Sequence, residues 1–135
     1  MFSKPHIDIV KKIIFTEDAP FPVGPYSQAM LVKPESGETL YASGQIAMKC
    51  IEAGENNVTK QTEEVCGNVK SVLKAAGMQI EDVVKTTCFL ADMSDFAEFN
   101  AVYEKHFAHK PARSCVAAKQ LPKNAMVEVE IIAII

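Results

Sequence analysis

Polar side chains interrupt two segments near the end of the chain that otherwise have the composition of buried β-strands. The segment PARSC contains Arg113 and Cys115, and the segment VEVE contains Glu128 and Glu130. Alternate side chains of a strand share one face, so Arg113 and Cys115 point together, as do the two glutamates. Two such strands could bring a cation and a carboxylate into one cleft.

Arg113 is the leading candidate for binding a substrate. Its guanidinium presents a planar fork of donors that matches a carboxylate in a bidentate manner, and it would therefore orient a small anionic substrate. A structural ion pair with Glu128 or Glu130 is the alternative, because a buried arginine is usually paired. The residue types alone leave both roles open.

Glu128 is the candidate general base or acid. A carboxylate in a partly apolar cleft can have a raised pKa and can exchange protons with water or a substrate. Val127 and Val129 flank Glu128 and give the alternation of a sheet face. A solvent-facing glutamate on an edge strand has the same pattern, and Glu130 shares this ambiguity.

The cysteines and histidines offer weaker chemistry. Cys115 would be a nucleophile only beside a base, which the local sequence lacks, and a free cysteine is often simply buried. The four cysteines form no C-x-x-C pair, so we expect thiols in a reducing compartment. His106 and His109 have H-x-x-H spacing, but no third metal ligand is recognisable nearby. We expect helix-end or surface histidines and no metal site.

Two turn segments could supply further polar groups. GPYSQA places Tyr26 beside a glycine-proline turn, and YASGQI places Ser43 and Gly44 at the end of a predicted strand. The hydroxyls of Tyr26 and Ser43 can hydrogen-bond a ligand, and Gly44 lets a ligand approach the backbone closely. Each of these residues also has an ordinary structural use in a turn.

The elements that must position these residues follow from periodicity and from turn residues. The predicted strands cover residues 7–15, 28–33, 39–45, 83–91, 113–118 and 127–135. One predicted helix covers residues 57–76 and ends at Gly77, and a second begins with Ser94 as its cap and carries a stripe of aromatic residues that we assign to the core. After the opening strand the order is ββαβαββ, which predicts an α+β fold with helices on one face of a mixed sheet.

Composition limits the alternatives. A chain of 135 residues fits one domain, residues 1–135, and its net charge of -3 builds no basic field, so nucleic acid is not an expected partner. The first residues contain charges and a proline where a signal peptide needs an apolar run, and no segment reaches the length of a membrane span. We expect a cytoplasmic protein without a membrane segment.

Six blocks resemble the RidA (YjgF) family in order and approximate spacing. They are GPYSQA, ASGQI, VVKTT, DFAEFNAVYE, PARSCV and LPKNAMVEVE, and the resemblance covers residues 14–135. It implies a chorismate-mutase-like α+β fold that assembles as a homotrimer, with the sheets forming an inner barrel and with ligand clefts between neighbouring subunits. It also implies hydrolysis of 2-iminobutanoate and 2-iminopropanoate to 2-oxo acids and ammonia, without a metal or organic cofactor.

The resemblance carries roles onto individual residues. It implies that Arg113 anchors the substrate and that Glu128 positions the water. The remaining cleft residues that it implies are Tyr26, Ser43, Gly44, Asn100 and Cys115. An endoribonuclease or translation inhibitor, a description that some relatives carry, is the second class of hypothesis, and a non-catalytic metabolite-binding protein is the third.

The chain departs from the family pattern at two turns. The turn PESGE is longer than usual, and AMKCIEAGENN lacks the common proline-threonine-glycine turn. Neither departure touches a matched site residue. They leave the substrate range less defined than the type of reaction.

Overall fold

The computed structural model describes residues 9–34 and 36–135. These residues form six strands, one short α-helix and two long α-helices. The strands are β1 Val10–Ile14, β2 Ala29–Lys33, β3 Thr39–Gln45, β4 Val83–Leu90, β5 Ala112–Ala117 and β6 Val127–Ile134, and the helices are α1 Met48–Glu52, α2 Val58–Ala75 and α3 Phe96–His106.

The strands form one mixed sheet in the order β1-β2-β3-β6-β4-β5. Strands β4 and β5 are parallel and are connected through α3, whereas the other neighbours are antiparallel. The predicted α+β class with a mixed sheet is therefore confirmed. Strand β6 lies in the middle of the sheet, so the edge-strand alternative for Glu128 is wrong.

Helix α2 has the ends that the sequence predicts. The side chain of Asn57 accepts a hydrogen bond from the Lys60 N–H at 2.9 Å, which satisfies one of the free donors of the first turn. Gly77 has a φ of 74° and ends the helix in the left-handed region. The valines of its apolar stripe are buried.

Helix α3 begins differently from the prediction. Ser94 does not cap it; the side chain of Asp92 accepts a hydrogen bond from the Ser94 N–H at 2.8 Å and caps a 3₁₀ turn, Met93–Asp95, that precedes α3. Of the predicted aromatic stripe, Phe99, Tyr103 and Phe107 are buried in the core, and Phe96 is partly buried against it. The short helix α1 was not predicted.

Both long helices cover the same face of the sheet, where the core lies. On β6 this face carries Val127, Val129, Ile131 and Ala133, all buried. Full burial of such a valine or isoleucine side chain stabilises the fold by about 1.5–3 kcal/mol. The alternate residues of β6 point to the opposite face, which no helix covers among the described residues.

The predicted strand bounds agree with the structure within one or two residues in the described segments. The β3 bounds match at both ends, whereas the predicted opening strand extends further at each end than β1 does. Its residues 7 and 8 lie outside the described residues. None of the helices in the described part of the chain is long and apolar enough to cross a bilayer.

Gln28, buried at the start of β2, fixes the loop that leads into this strand. Its Oε1 accepts from the Thr16 N–H at 2.7 Å, and its Nε2 donates to the Thr16 and Pro20 carbonyls at 3.0 and 2.9 Å and to Ala19 at 3.3 Å. A buried amide with this set of partners holds the loop in one conformation.

Replacing Gln28 is expected to destabilise the protein. Gln28→Ala leaves buried backbone groups of residues 16–20 without partners, so the free energy of unfolding should fall by about 2 kcal/mol, the scale for unsatisfied buried polar groups. Urea denaturation measures this change. Gln120→Ala, at an exposed position, is the control and should change it by less than about 0.5 kcal/mol; equal stabilities for the two variants would contradict the assignment.

Candidate functional site

Glu128 lies on the face of the sheet opposite the helices, half-buried in the central strand β6. Burial and, to a smaller extent, the neighbouring carboxylate of Glu130 raise the pKa of Glu128. Both effects disfavour the charged form, which is the environment that lets a carboxyl group exchange protons with water or a substrate.

Gly44 gives Glu128 its position. A Cβ atom at Gly44 would lie 2.8 Å from Oε1 of Glu128, so a larger residue here would displace the carboxylate from its place on the backbone of β3. The register between β3 and β6 shifts between Ala42 and Gln45, which places an extra residue on β3 at this point. The irregularity re-aims the strand beside the carboxylate.

A small pocket of about 130 Å³ opens at Glu128. Its wall includes Gly44, Tyr26, Phe21 and Lys123. Tyr26 is held by the Val23 N–H, which donates to its Oη at 3.3 Å, so its own O–H is available to a ligand. The structure therefore brings together three of the predicted residues, Tyr26, Gly44 and Glu128.

Ser43 is placed differently from its neighbour Gly44. Its Oγ donates to the Ser27 carbonyl at 2.7 Å, and its N–H donates to the Gln28 carbonyl at 2.9 Å. These bonds join β3 to the start of β2 and leave the hydroxyl of Ser43 only as an acceptor. Ser43 itself does not line the pocket at Glu128.

Arg113 lies on the helix face of the sheet, at the edge strand β5. Its Nη1 donates to Oδ1 of Asn100 at 2.7 Å. The guanidinium carbon stands 4.7 Å from the ring centre of Tyr103 and 5.5 Å from that of Phe96. Cation–π stacking and the Asn100 bond orient the guanidinium without neutralising it, so its charge is available to an anion.

Tyr103 connects this guanidinium to the core. Its Oη and the Thr86 Oγ1 are 2.8 Å apart, and both residues are buried. A second pocket, lined by Arg113, Asn100, Tyr103 and Lys110, opens here. Asn100, predicted as a cleft residue, therefore contacts the guanidinium directly.

One chain does not place Arg113 and Glu128 in one cleft, contrary to the simplest interpretation of the sequence. Arg113 is paired in register with Thr86 of β4, and both side chains point to the helix face. Glu128 is paired with Phe89, which is an odd number of residues from Thr86 along β4, so its side chain points to the other face. Within one chain the same geometry excludes an ion pair between Arg113 and either glutamate of β6, because Glu130 shares the face of Glu128.

Cys115 follows Arg113 on the helix face and stands opposite Cys88 of β4. Burial raises the pKa of the Cys115 thiol, although the Arg113 charge opposes this, and burial raises that of Cys88 to about 12. A thiol in this state is a poor nucleophile. All four cysteines are free, as predicted.

The two histidines make separate contacts. His106 bridges the long helices, with Nδ1 2.7 Å from Nζ of Lys70 and Nε2 2.8 Å from Oε2 of Glu63. His109 Nε2 lies 2.8 Å from the Val83 carbonyl. They hold different elements in place, at a helix end and at the surface, as predicted.

Several residues of the site and its support were missed from the sequence, and two of them, Lys123 and Gln61, bear on Glu128. Lys123 lines the pocket at Glu128, and Gln61 of α2 accepts a hydrogen bond from the Met126 N–H at 3.0 Å directly before β6. The LPKN segment was used only within the resemblance block LPKNAMVEVE, and Lys123 was given no role. A glutamine among the buried positions of α2 could have indicated a polar contact with another element.

Comparisons with known proteins agree with this architecture. The family model Endoribonuclease L-PSP matches residues 16–135. A RutC family protein of Pyrococcus horikoshii is 44% identical over 127 residues, covering 92% of this chain and 98% of that protein. The 2-iminobutanoate/2-iminopropanoate deaminase of Escherichia coli K12 is 41% identical over 131 residues, covering 93% of this chain and 98% of the deaminase.

Solved structures give the same result. The crystal structure of E. coli TdcF with bound serine matches with a TM-score of 0.80 at 39% identity, covering 92% of this chain and 98% of that one. The YjgF gene product of E. coli matches with a TM-score of 0.77 at 39% identity, covering 90% and 97%. The chain therefore belongs to the RidA (YjgF, L-PSP) family.

Proposed function

We propose that this protein is an imine deaminase that hydrolyses 2-iminobutanoate and 2-iminopropanoate to 2-oxo acids and ammonia. The observation that carries the proposal is the half-buried Glu128, whose raised pKa and fixed place against Gly44 suit a general base in a small pocket. The E. coli relative named as such a deaminase supports the reaction class.

Hydrolysis of a 2-imino acid makes few demands on a protein. The imine carbon is already electrophilic, so the reaction needs a water held against it, a base for the water proton and a fixed substrate carboxylate. Glu128 takes the proton and can return it to the leaving nitrogen, and the free O–H of Tyr26 adds a hydrogen bond. No step requires a metal or an organic cofactor.

Arg113 is the proposed anchor of the substrate carboxylate. Asn100 occupies one donor of the guanidinium and Tyr103 supports its plane, so the remaining donors are presented in a fixed fork. Backbone N–H groups near Gly44 and Cys115 complete the proposed hydrogen bonding, and Ser43 supports the backbone of β3 through its bond to the Ser27 carbonyl.

Because Arg113 and Glu128 lie on opposite faces of one sheet, the proposed site is assembled between subunits of a homotrimer. The uncovered face supports association: Ile13 is 63% and Tyr41 is 52% exposed there, beside Met30 and Ile132. An apolar face of this kind is typically covered by another copy. In a ring of three, Arg113 of one subunit can meet Glu128 of the next.

The first prediction separates binding from catalysis. A threonine dehydratase supplies 2-iminobutanoate, and formation of 2-oxobutanoate is followed with and without this protein. Arg113→Lys loses the bidentate fork, so both turnover and binding of 2-oxobutanoate should fall. Glu128→Gln removes the base, so turnover should drop by roughly 100-fold while 2-oxobutanoate still binds.

If both variants fold and turn over the imine at the parent rate, Arg113 and Glu128 are structural residues. The same preparations are incubated with RNA, which tests the endoribonuclease description of the family. If the parent cleaves RNA but does not turn over the imine, and either variant loses the RNA cleavage, then an endoribonuclease replaces the deaminase as the proposed function. Binding of 2-oxobutanoate with no turnover by the parent would favour a non-catalytic metabolite-binding protein.

The second prediction concerns pH. Glu128 must be ionised to act as a base, so kcat/KM should rise with pH through its raised pKa, above the ordinary value of 4.5. Glu130→Gln removes a neighbouring negative charge and should move this rise to lower pH. Glu81→Gln, an exposed position after α2, is the control and should leave it unchanged. If the rise of kcat/KM with pH is the same in Glu130→Gln as in the parent, Glu128 is not the titrating group.

The third prediction tests the shared site. Arg113→Ala and Glu128→Gln chains should each have little activity alone, but co-refolding equal amounts should restore up to about a quarter of the parent activity, because random mixing leaves about one junction in four with both native residues. Light scattering should give three chains per particle. Complete inactivity of mixed trimers would place both residues in one subunit's site.

A further inference from the structure

The pocket at Glu128 presents a charge problem to an anionic substrate. Glu128 and Glu130 are neighbours on β6, and the negative charge of Glu130 contributes to the raised pKa of Glu128. A 2-imino acid brings another carboxylate into this field. The guanidinium of Arg113 offsets one of these three negative charges, and two remain.

Lys123 is the positively charged residue among those that line this pocket. It belongs to the 3₁₀ turn Pro122–Asn124, which connects β5 to β6. Lys123 is exposed and lines the pocket, so its flexible side chain can bring the ammonium to a ligand that binds there.

The backbone at Lys123 is held in an unfavourable conformation. Lys123 has a φ of 57° and Asn124 a φ of 54°, both in the left-handed region that non-glycine residues avoid. The turn is braced by the Asn124 N–H to the Leu121 carbonyl at 3.1 Å and by the Ala125 N–H to the Pro122 carbonyl at 3.0 Å. A non-glycine residue kept in such a conformation beside a pocket points to a role for its side chain.

We propose that Lys123 is a substrate-binding residue whose ammonium supplies the second positive charge of the site and makes the pocket select anionic 2-imino and 2-oxo acids over neutral analogues. The inference rests on the proposed function for the identity of the substrate. It assigns Lys123 a contact with the carboxylate end of the ligand at the mouth of the pocket, complementary to Arg113.

Three variants isolate the charge. Lys123→Met should raise KM for 2-iminobutanoate and the inhibition constant of 2-oxobutanoate by roughly fivefold, the upper end for an exposed ion pair, with kcat nearly unchanged. The neutral 2-oxobutanamide should bind both proteins equally. Lys123→Arg should restore KM, and Lys119→Met, with the same change in net charge outside the pocket, should not alter it. High salt should reduce the difference between parent and Lys123→Met.

Two glycine variants separate strain from charge. Lys123→Gly and Asn124→Gly each relieve one left-handed residue, so both should raise the melting temperature. Only Lys123→Gly should also raise KM. If both glycine variants bind 2-oxobutanoate like the parent, the turn is strained for another reason and the proposal is wrong.

The outcomes distinguish this inference from the proposed function. Imine turnover by the parent with an unchanged KM in Lys123→Met overturns the role of Lys123 alone. Failure of the parent to turn over the imine, with 2-oxobutanoate binding that weakens in Lys123→Met, overturns the reaction but supports the anion site. A parent that neither turns over the imine nor binds 2-oxobutanoate overturns both.

Discussion

The packing of the helices on one face of a sheet that contains β6 sets the sides on which Glu128 and Arg113 lie. Val127, Val129 and Ile131 alternate along β6 and are buried beneath the helices, and this alternation sends Glu128 to the opposite face. Moving the strand by one residue would expose its valines, so the hydrophobic core fixes the side of the sheet on which the carboxylate lies. Arg113, registered with the buried Thr86, is fixed on the other side by the same constraint.

Each charged group is supported by groups that do no chemistry themselves. Glu128 rests on Gly44 at an irregularity of β3, and just before the strand that carries it the Met126 N–H donates a hydrogen bond to Gln61 of α2. The guanidinium of Arg113 is stacked on Tyr103, which is bonded to Thr86 in the core. Fixed geometry of this kind reduces the reorganisation needed when a substrate binds.

Local patterns predicted the elements well because their determinants are local. Strand β3 and helix α2 were placed from alternation, helical spacing, Asn57 and Gly77. The relation between Arg113 and Glu128 depends on β4 lying between their strands, which is a long-range property that alternation within each strand cannot supply. Lys123 was missed because its place at the pocket depends on a left-handed turn in a segment without glycine.

The central claim is that a 2-oxo or 2-imino acid binds between Arg113 of one subunit and Glu128 of its neighbour. A crystal structure of the assembled protein with 2-oxobutanoate tests it most directly. We expect the ligand carboxylate on the Arg113 guanidinium, and the carbonyl carbon facing a water held by a Glu128 carboxylate from a different chain. A ligand bound away from both residues, or a particle in which these two residues do not approach each other, would contradict the account.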